Sequence, residues 1–571
     1  MNILGISCYF HDAAAVLISD GKILAAAEEE RFSRIKHDSD FPKQSINFCL
    51  KAANLNSNNI DYVIFYEKPF RKFHRILISS LSTYPKSYAS FSEAMRIWLT
   101  KKLWVKNTIA SFLDIKPDKI LFCQHHLSHA ASCFYPSAFK EAAILTLDGV
   151  GEWETGSIGT GYDNKITIVK ELYYPNSIGL LYSTFTAFLG FEVNEGEWKV
   201  MGLAPYGRPI YTGKIWKLIE KHIDGSFSLD FSYFSYHYSD SKSFSDKFIE
   251  IFGSPIPPDK SHLIDKRAAD LAASIQAITE DLIIHMAKSV KKITKMRNLC
   301  FSGGVALNSV ANYKLLKSGL FDNIYIQPAC GDSGGAMGAA LYLYHHILKN
   351  KKRFILDSPL LGQEFDNSEI EQFLKDKNVR YQKLSNSKLL DYCVDKIIQG
   401  KVVGWFQGRF EWGPRALGAR SILADPRNPK MKDIINAKVK FREAFRPFAP
   451  SVLGDYADEV YDLPKNYENH YPLRFMLYVV PVKSSWRNKV PAITHVDSTS
   501  RPHLVFDKNS LYYKLIKTFF QKTGIPLLLN TSFNLRGEPI VATPADAYST
   551  FIRSGIDVLV LGNYLIKNKI K

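Results

Sequence analysis

Residues 2–28, NILGISCYFHDAAAVLISDGKILAAAE, read as three short apolar strands in series. NILGIS is followed by a small-residue bend at Asp12-Ala13-Ala14, AAVLIS by a turn at Asp20-Gly21, and KILAAAEE closes the stretch. Apolar runs separated by such tight bends predict an antiparallel meander. Residues 142–172, AAILTLDGVGEWETGSIGTGYDNKITIVKEL, repeat the pattern: AAILTLDG, a glycine-rich bend through Val150-Gly151-Glu152, TGSIGTGY, a turn at Asp163-Asn164, and KITIVKEL. Each meander is followed by helical sequence, so the chain is predicted to be α/β with a duplicated first domain.

From Ala268 to Lys295 apolar residues recur at helical spacing (Leu271, Ile275, Ile278, Leu282, Ile283, Met286), which predicts a long amphipathic helix. Strand NLCFSG then leads into Gly303-Gly304 and helical ALNSVANYKLL, and strand NIYIQP into ACGDSGGAMGAALYLYHHI. Glycine turns that open a helix let phosphates approach its exposed N–H groups. After His346 the composition changes, and a boundary is predicted near residue 355, dividing the chain into 1–355 and 356–571. The second part contributes strands KVVGWFQG, IPLLLN and DVLVLG and an arginine-rich middle with Arg409, Arg415, Arg420, Arg427, Arg442 and Arg446. In a lysine-rich protein that choice suggests forked recognition of phosphate or carboxylate. The paired meanders look like the two halves of the actin-like ATPase and sugar-kinase superfold, whose bends face each other across a nucleotide cleft.

The chain has 571 residues, 46% hydrophobic and 23% charged, a balance that excludes disordered and low-complexity classes. The absence of a long apolar run excludes membrane spans, and the first residues do not read as a secretion signal. Seven scattered cysteines without a CxxC argue against a disulfide framework, so the expected location is the cytoplasm. A net charge of +17 suits anionic partners such as nucleotides and phosphorylated substrates. Its plainer reading is a solvated lysine-rich surface, because basic residues rarely run beyond pairs such as Lys351-Lys352.

His125 and His129 in QHHLSHAAS are four apart at a predicted helix start, which aims both imidazoles from one face as a divalent metal requires; a hydrogen-bonded pair at a helix N-terminus is the alternative, and His126 points elsewhere. Asp148 ends the strand ILTLD and Asp332 sits in the turn CGDSGG, and two His with two Asp make an N/O donor set for Fe, Mn or Zn. His11 follows the first strand at the bend and is a candidate general base; a histidine that caps the bend is the alternative. Lys36 in EEERFSRIKHD is a candidate partner for a nucleotide phosphate.

Ten strings, in order along nearly the whole chain, carry a specific resemblance: HDAAAVLISDG, AAAEEERFSRIKHD, HHLSHAAS, LDGVGEWET, KVMGLAPYG, SGGVALN, GDSGGAMGAA, GRFEWGPRALGARSILADPR, FRPFAPSV and LNTSFNLRGEPIV. They resemble the O-carbamoyltransferases that decorate antibiotics and nodulation factors. The resemblance implies an actin-like N-terminal domain similar to the threonylcarbamoyl-transferase proteins, fused to a domain similar to threonylcarbamoyl-AMP synthase. The second would make carbamoyl-adenylate from carbamoyl phosphate and ATP with Mg, and the first would pass the carbamoyl group to a hydroxyl of a small-molecule acceptor. It implies a metal, iron, on His125, His129, Asp148 and Asp332, and a nucleotide side at Lys36, Gly303, Gly304 and Asn308. For carbamoyl phosphate it implies Arg415, Arg446, Arg501, Asn534 and Arg536, with His11 at the position of the base.

The alternatives are a tRNA threonylcarbamoyl transferase, which would take an amine acceptor, and an actin-like ATPase or sugar kinase, which would not need the His/His/Asp/Asp set. Without a basic stripe a nucleic-acid partner is not expected, nor is a membrane; a homodimer is compatible with the sequence. Segments 67–113 and 208–262 fit neither repeat and are rich in aromatics (Tyr84, Tyr88, Trp98, Tyr233, Tyr236, Tyr238), which suits a sugar-stacking pocket. For 91–113 the competing reading is an amphipathic helix with Trp98, Leu99 and Leu103 in a core.

Overall fold

The strand Asn2–Ser7 is buried along nearly its whole length and pairs antiparallel with Ala14–Ser19, Gly5 opposite Val16. On its other side it pairs parallel with Tyr62–Phe65, which in turn pairs parallel with Ile120–Phe122. With Lys22–Glu28 at the edge, the five strands stand in the order third, second, first, fourth, fifth. A second sheet repeats that order with Lys165–Tyr173, Glu154–Tyr162, Glu141–Leu147, Asn298–Ser302 and Asn323–Tyr325. Its first three strands are antiparallel and the last two are added in parallel, as in the first sheet. Two copies of one topology are the arrangement of the actin-like superfold. This computed structural model describes residues 1–263 and 265–568.

The helices His125–Phe134 and Asp332–Tyr342 are each packed across the sheet they did not follow. The first lies against Glu141–Leu147 and Asn298–Ser302, the second against Asn2–Ser7 and Ala14–Ser19, and the two helices pack on each other. Small residues permit the approach: a Cβ on Gly338 would lie 1.8 Å from the Ser128 carbonyl oxygen. The glycines of GDSGGAMGAA, read above as an opening for phosphate, thus also serve backbone-to-backbone packing. The amphipathic helix predicted from Ala268 runs Lys266–Thr294, capped by the Asp265 side chain accepting from Ala268 N. Of the aromatic segments, Trp98 is in the core, whereas Leu99, Tyr84 and Tyr88 are exposed. The core reading therefore holds for Trp98 and fails for Leu99.

Contacts divide the chain into two compact units, Met1–Leu24 with Ser39–Leu356, and Ala25–Asp38 with the chain from Asp357. The second unit holds an eight-stranded mixed sheet in the order Gln382–Lys383, Tyr564–Lys567, Val558–Leu561, Val403–Phe406, Arg420–Ala424, Leu527–Ser532, Ala449–Leu453, His503–Val505. Trp405 and Trp412 are among its fully buried side chains. No helix among the described residues is long and apolar enough to cross a membrane. All seven cysteines are buried free thiols.

Candidate functional site

In the first unit the packed helices bring together four donors from three elements. His125 and His129 come from the first two turns of one helix, Asp332 from the first residue of the other, and Asp148 from the end of Glu141–Leu147. Their ligand atoms all lie within 4.8 Å of one another and all four side chains are buried. His125 Nε2 is 3.0 Å from Asp148 Oδ2 and 3.0 Å from His129 Nε2. Asp332 Oδ1 lies 3.6 Å from His125 Nε2 and 3.5 Å from His129 Nε2. Both Asp332 oxygens are buried without a hydrogen-bond partner among the described residues.

Two facing imidazole nitrogens and two buried carboxylates form a site that draws positive charge. Burial works to lower the His129 pKa, yet Asp148 and Asp332 outweigh it and push it up to about 9. Burial likewise raises Asp148, but His125 and His129 hold it well below the usual carboxylate range. Convergent N and O donors with unmet electron pairs fit a divalent cation. His126 is not part of this set: its ring bonds to Thr146 Oγ1 at 2.6 Å and to the Glu154 carbonyl at 3.0 Å.

Two of the supports, Glu152 and Glu67, come from residues that sequence spacing did not single out, and the others are the expected Gly303, Gly304 and Asn308. Glu152 is buried and accepts from the backbone N–H of His125 at 3.0 Å and of Lys68 at 2.8 Å, so it fixes the start of the histidine helix. Glu67 Oε2 stands 3.9 Å from His125 Nδ1. Gly304 N donates to Asp148 Oδ1 at 2.9 Å. Gly303 has φ +97°, and a Cβ there would lie 2.1 Å from the Leu147 carbonyl oxygen, so only glycine carries this loop past the strand end. Asn308 caps the helix Ser309–Lys317 by accepting from Ala311 N. It also exchanges amide hydrogen bonds with Gln276 at 3.0 and 3.1 Å. An LDG string followed by an acidic loop was the one available signal for Glu152.

His11 joins this centre from the first bend. Its Nδ1 is 3.0 Å from Asp12 Oδ2 and its Nε2 is 3.9 Å from Asp332 Oδ2. Burial lowers its pKa, but Asp332 and Asp12 more than compensate and bring it to about 9. A histidine that bonds a carboxylate at a bend is also what the capping alternative requires.

In the second unit the arginines divide into two groups. Arg420 is buried, its guanidinium carbon 3.6 Å from the Phe406 ring centre and its Nη1 and Nη2 donors spent on carbonyls including Gln407 O at 2.8 Å. Arg427 is clasped by Asp425 at 2.6 Å and Arg409 donates to the Gly362 carbonyl. These are structural. Arg415, Lys440, Arg442, Arg446 and Arg501 instead repel one another. Burial first, then Arg415 and Arg446, pull the Arg501 pKa well down, and burial with Arg446 and Arg501 does the same to Arg442. Lys440, absent from the expected set, is depressed by burial, Arg442 and Arg446, and also feels Lys36. Its ammonium donates to Asn534 Oδ1 at 2.6 Å and Asn534 O at 3.0 Å. Arg446 Nη1 is 3.3 Å from Glu443 Oε2, while Arg536 is exposed and 3.8 Å from Glu443. Lys36 belongs to this unit, on Ala25–Asp38, whereas Gly303, Gly304 and Asn308 belong to the first. A cluster of like charges held together by the fold suits an anion with several oxygens.

Comparison with known proteins gives the chain a family. Residues 2–341 match the model of the carbamoyltransferase N-terminus and residues 394–568 that of the carbamoyltransferase C-terminus. An uncharacterized protein of Synechocystis sp. is 44% identical over 99% of this chain and 96% of its own length. Nodulation protein NolNO of Sinorhizobium fredii is 38% identical, covering 98% of this chain and 79% of that protein. Among solved structures, component A of (R)-2-hydroxyglutaryl-CoA dehydratase from Acidaminococcus fermentans is 13% identical over 61% of this chain and 100% of that chain, at a TM-score of 0.32. With family models covering both halves, the chain belongs to the carbamoyltransferase family and is a transferase enzyme.

Proposed function

We propose that the protein is an O-carbamoyltransferase that makes carbamoyl-adenylate from carbamoyl phosphate and ATP with Mg in its second unit and transfers the carbamoyl group to a hydroxyl of a small-molecule acceptor in its first. The observation that carries this reading is the self-repelling cluster of Arg415, Lys440, Arg442, Arg446 and Arg501. Carbamoyl phosphate is a small dianion, and several fixed cations in a half-buried setting are the chemistry that grips one. Asn534, held by Lys440, and Arg536 would complete that grip. In the balanced sequence, water opens carbamoyl phosphate to carbamate and phosphate, and the carbamate oxygen displaces pyrophosphate from the α-phosphorus of ATP. The acceptor hydroxyl then displaces AMP from the carbamoyl carbon and gives up its proton. Such a mixed anhydride hydrolyses readily, so enclosure of its sites favours transfer over loss to water.

For the second step we assign the base to His11, whose Nε2 faces Asp332; with its pKa raised to about 9 by Asp332 and Asp12, the neutral ring that can take the proton becomes the main form above that pH. Held by His125, His129, Asp148 and Asp332, a divalent metal, iron in this proposal, would supply positive charge for the oxygen that becomes negative during transfer. Lys36, whose charge acts on Lys440, is assigned to an anionic oxygen in the second unit, and the Gly303-Gly304 loop with Asn308 to the nucleotide in the first. Arg446→Ala tests the reading. It should abolish pyrophosphate release that depends on carbamoyl phosphate, and release at the wild-type rate would refute it.

A further inference from the structure

The helix Pro69–Ser82 carries a buried cation that neither half-reaction uses. Arg75 is 8% exposed, and its Nε is fully buried with no hydrogen-bond partner among the described residues. Its guanidinium carbon lies 4.8 Å from the centre of the Tyr174 ring. A buried donor without an acceptor is costly to keep, and together with the aromatic residues beside it such a group suits a ligand that supplies one.

The carboxylates that act on Arg75 already have partners. Glu67 accepts from Lys72 at 2.6 Å, Glu154 pairs with Arg71, and Glu152 is taken up by backbone N–H groups. None of the three carboxylates that act on Arg75 is left unengaged for a cationic ligand. An anionic ligand would meet the field of Glu67, Glu152 and Glu154, all of which act on Arg75. What Arg75 lacks is a neutral oxygen.

Aromatic walls stand next to it. Tyr174 N donates to the Trp153 carbonyl at 2.8 Å, extending the register in which Glu154 faces Tyr173, so Trp153 and Tyr174 are cross-strand neighbours. The Trp153 ring centre is 5.7 Å from that of His74. Trp153 also directly follows Glu152, whose carboxylate holds the backbone of His125, so this wall is attached to the candidate metal centre. An aromatic face beside a buried forked donor binds the C–H face and oxygens of a ring at once.

We propose that Arg75, Trp153 and Tyr174 form the acceptor subsite, and that it selects an uncharged, oxygen-rich ring. This rests on the carbamoyl-transfer reading and adds the charge and shape of the group that receives the carbamoyl. Saturation-transfer NMR on the full chain, with methyl β-glucoside, glucosamine and glucuronate as probes, tests it. The neutral ring should bind about tenfold or more tighter than either charged one, and Arg75→Met and Trp153→Leu should each weaken it by about tenfold. Because loss of a buried arginine can impair folding, Trp153→Leu at wild-type melting temperature decides the comparison. Equal binding of all three probes, or unchanged binding by Trp153→Leu, overturns the subsite. Pyrophosphate release from carbamoyl phosphate and ATP with no ring bound overturns the subsite alone. A bound neutral ring without pyrophosphate release overturns the proposed function and leaves the subsite standing.

Discussion

Replacing Arg501 by Met should make the ligand-free protein more stable while removing its response to phosphate. Arg501 is half-buried, its Nε has no acceptor among the described residues, and Arg415 and Arg446 act on it as like charges. Two unit charges at a separation on the order of 8 Å repel by about 2 kcal/mol at an effective dielectric near 20. Halving this for solvent screening leaves about 1 kcal/mol for each of two neighbours. Met keeps most of the aliphatic packing, so the net gain is about 1–2 kcal/mol, or roughly 2–4 °C in melting temperature. The opposite holds with ligand: an anion that binds the folded state at a hundredfold excess over its Kd stabilises it by about 2.7 kcal/mol. Scanning calorimetry of both proteins, with and without inorganic phosphate at constant ionic strength, separates the two effects. A variant that melts lower than wild type and still gains stability from phosphate would refute the view that these cations are held apart for an anion.

His129→Ala should lose the bound divalent metal, measured by elemental analysis of protein purified in parallel with wild type; full retention would remove His129 from the ligand set. His11→Ala should still release pyrophosphate yet transfer the carbamoyl group about 10²–10⁴-fold more slowly in rapid-quench assays, and an equal loss in both steps would favour the bend-capping role. Burial raises the Glu28 carboxyl from 4.5 to about 7, so the folded state keeps that proton longer and stability falls as pH rises across this window. Glu28→Gln should therefore gain on wild type by an amount on the order of 1–3 kcal/mol between those pH values in urea titrations, and a constant difference would contradict it. Gly338→Ala, whose Cβ meets the Ser128 carbonyl, should cost about 1–3 kcal/mol and lower metal content together, because it pries apart the two helices that carry the ligands.

Much of this protein was legible in one dimension, because its decisive signals are local. Apolar runs broken by Asp20-Gly21 and Asp163-Asn164 determined both meanders, and the i, i+4 spacing of His125 and His129 determined that their imidazoles share a helix face. The strand end at Asp148 and the helix start at Asp332 could likewise be read from neighbouring residues. Convergence of these four was not local: it depends on two helices crossing where Gly338 meets Ser128, and on Glu152 reaching from a loop to the His125 backbone. Nor could spacing sort the arginines. Arg420 and Arg446 look alike in sequence, yet one is used up on backbone carbonyls while the other joins a cluster of cations. Contacts likewise group Ala25–Asp38 with the chain from Asp357, far away in sequence. Propensity and periodicity report what a residue does to its own stretch of chain, whereas charge and hydrogen-bond partners come from segments hundreds of residues away, and only the folded chain chooses them.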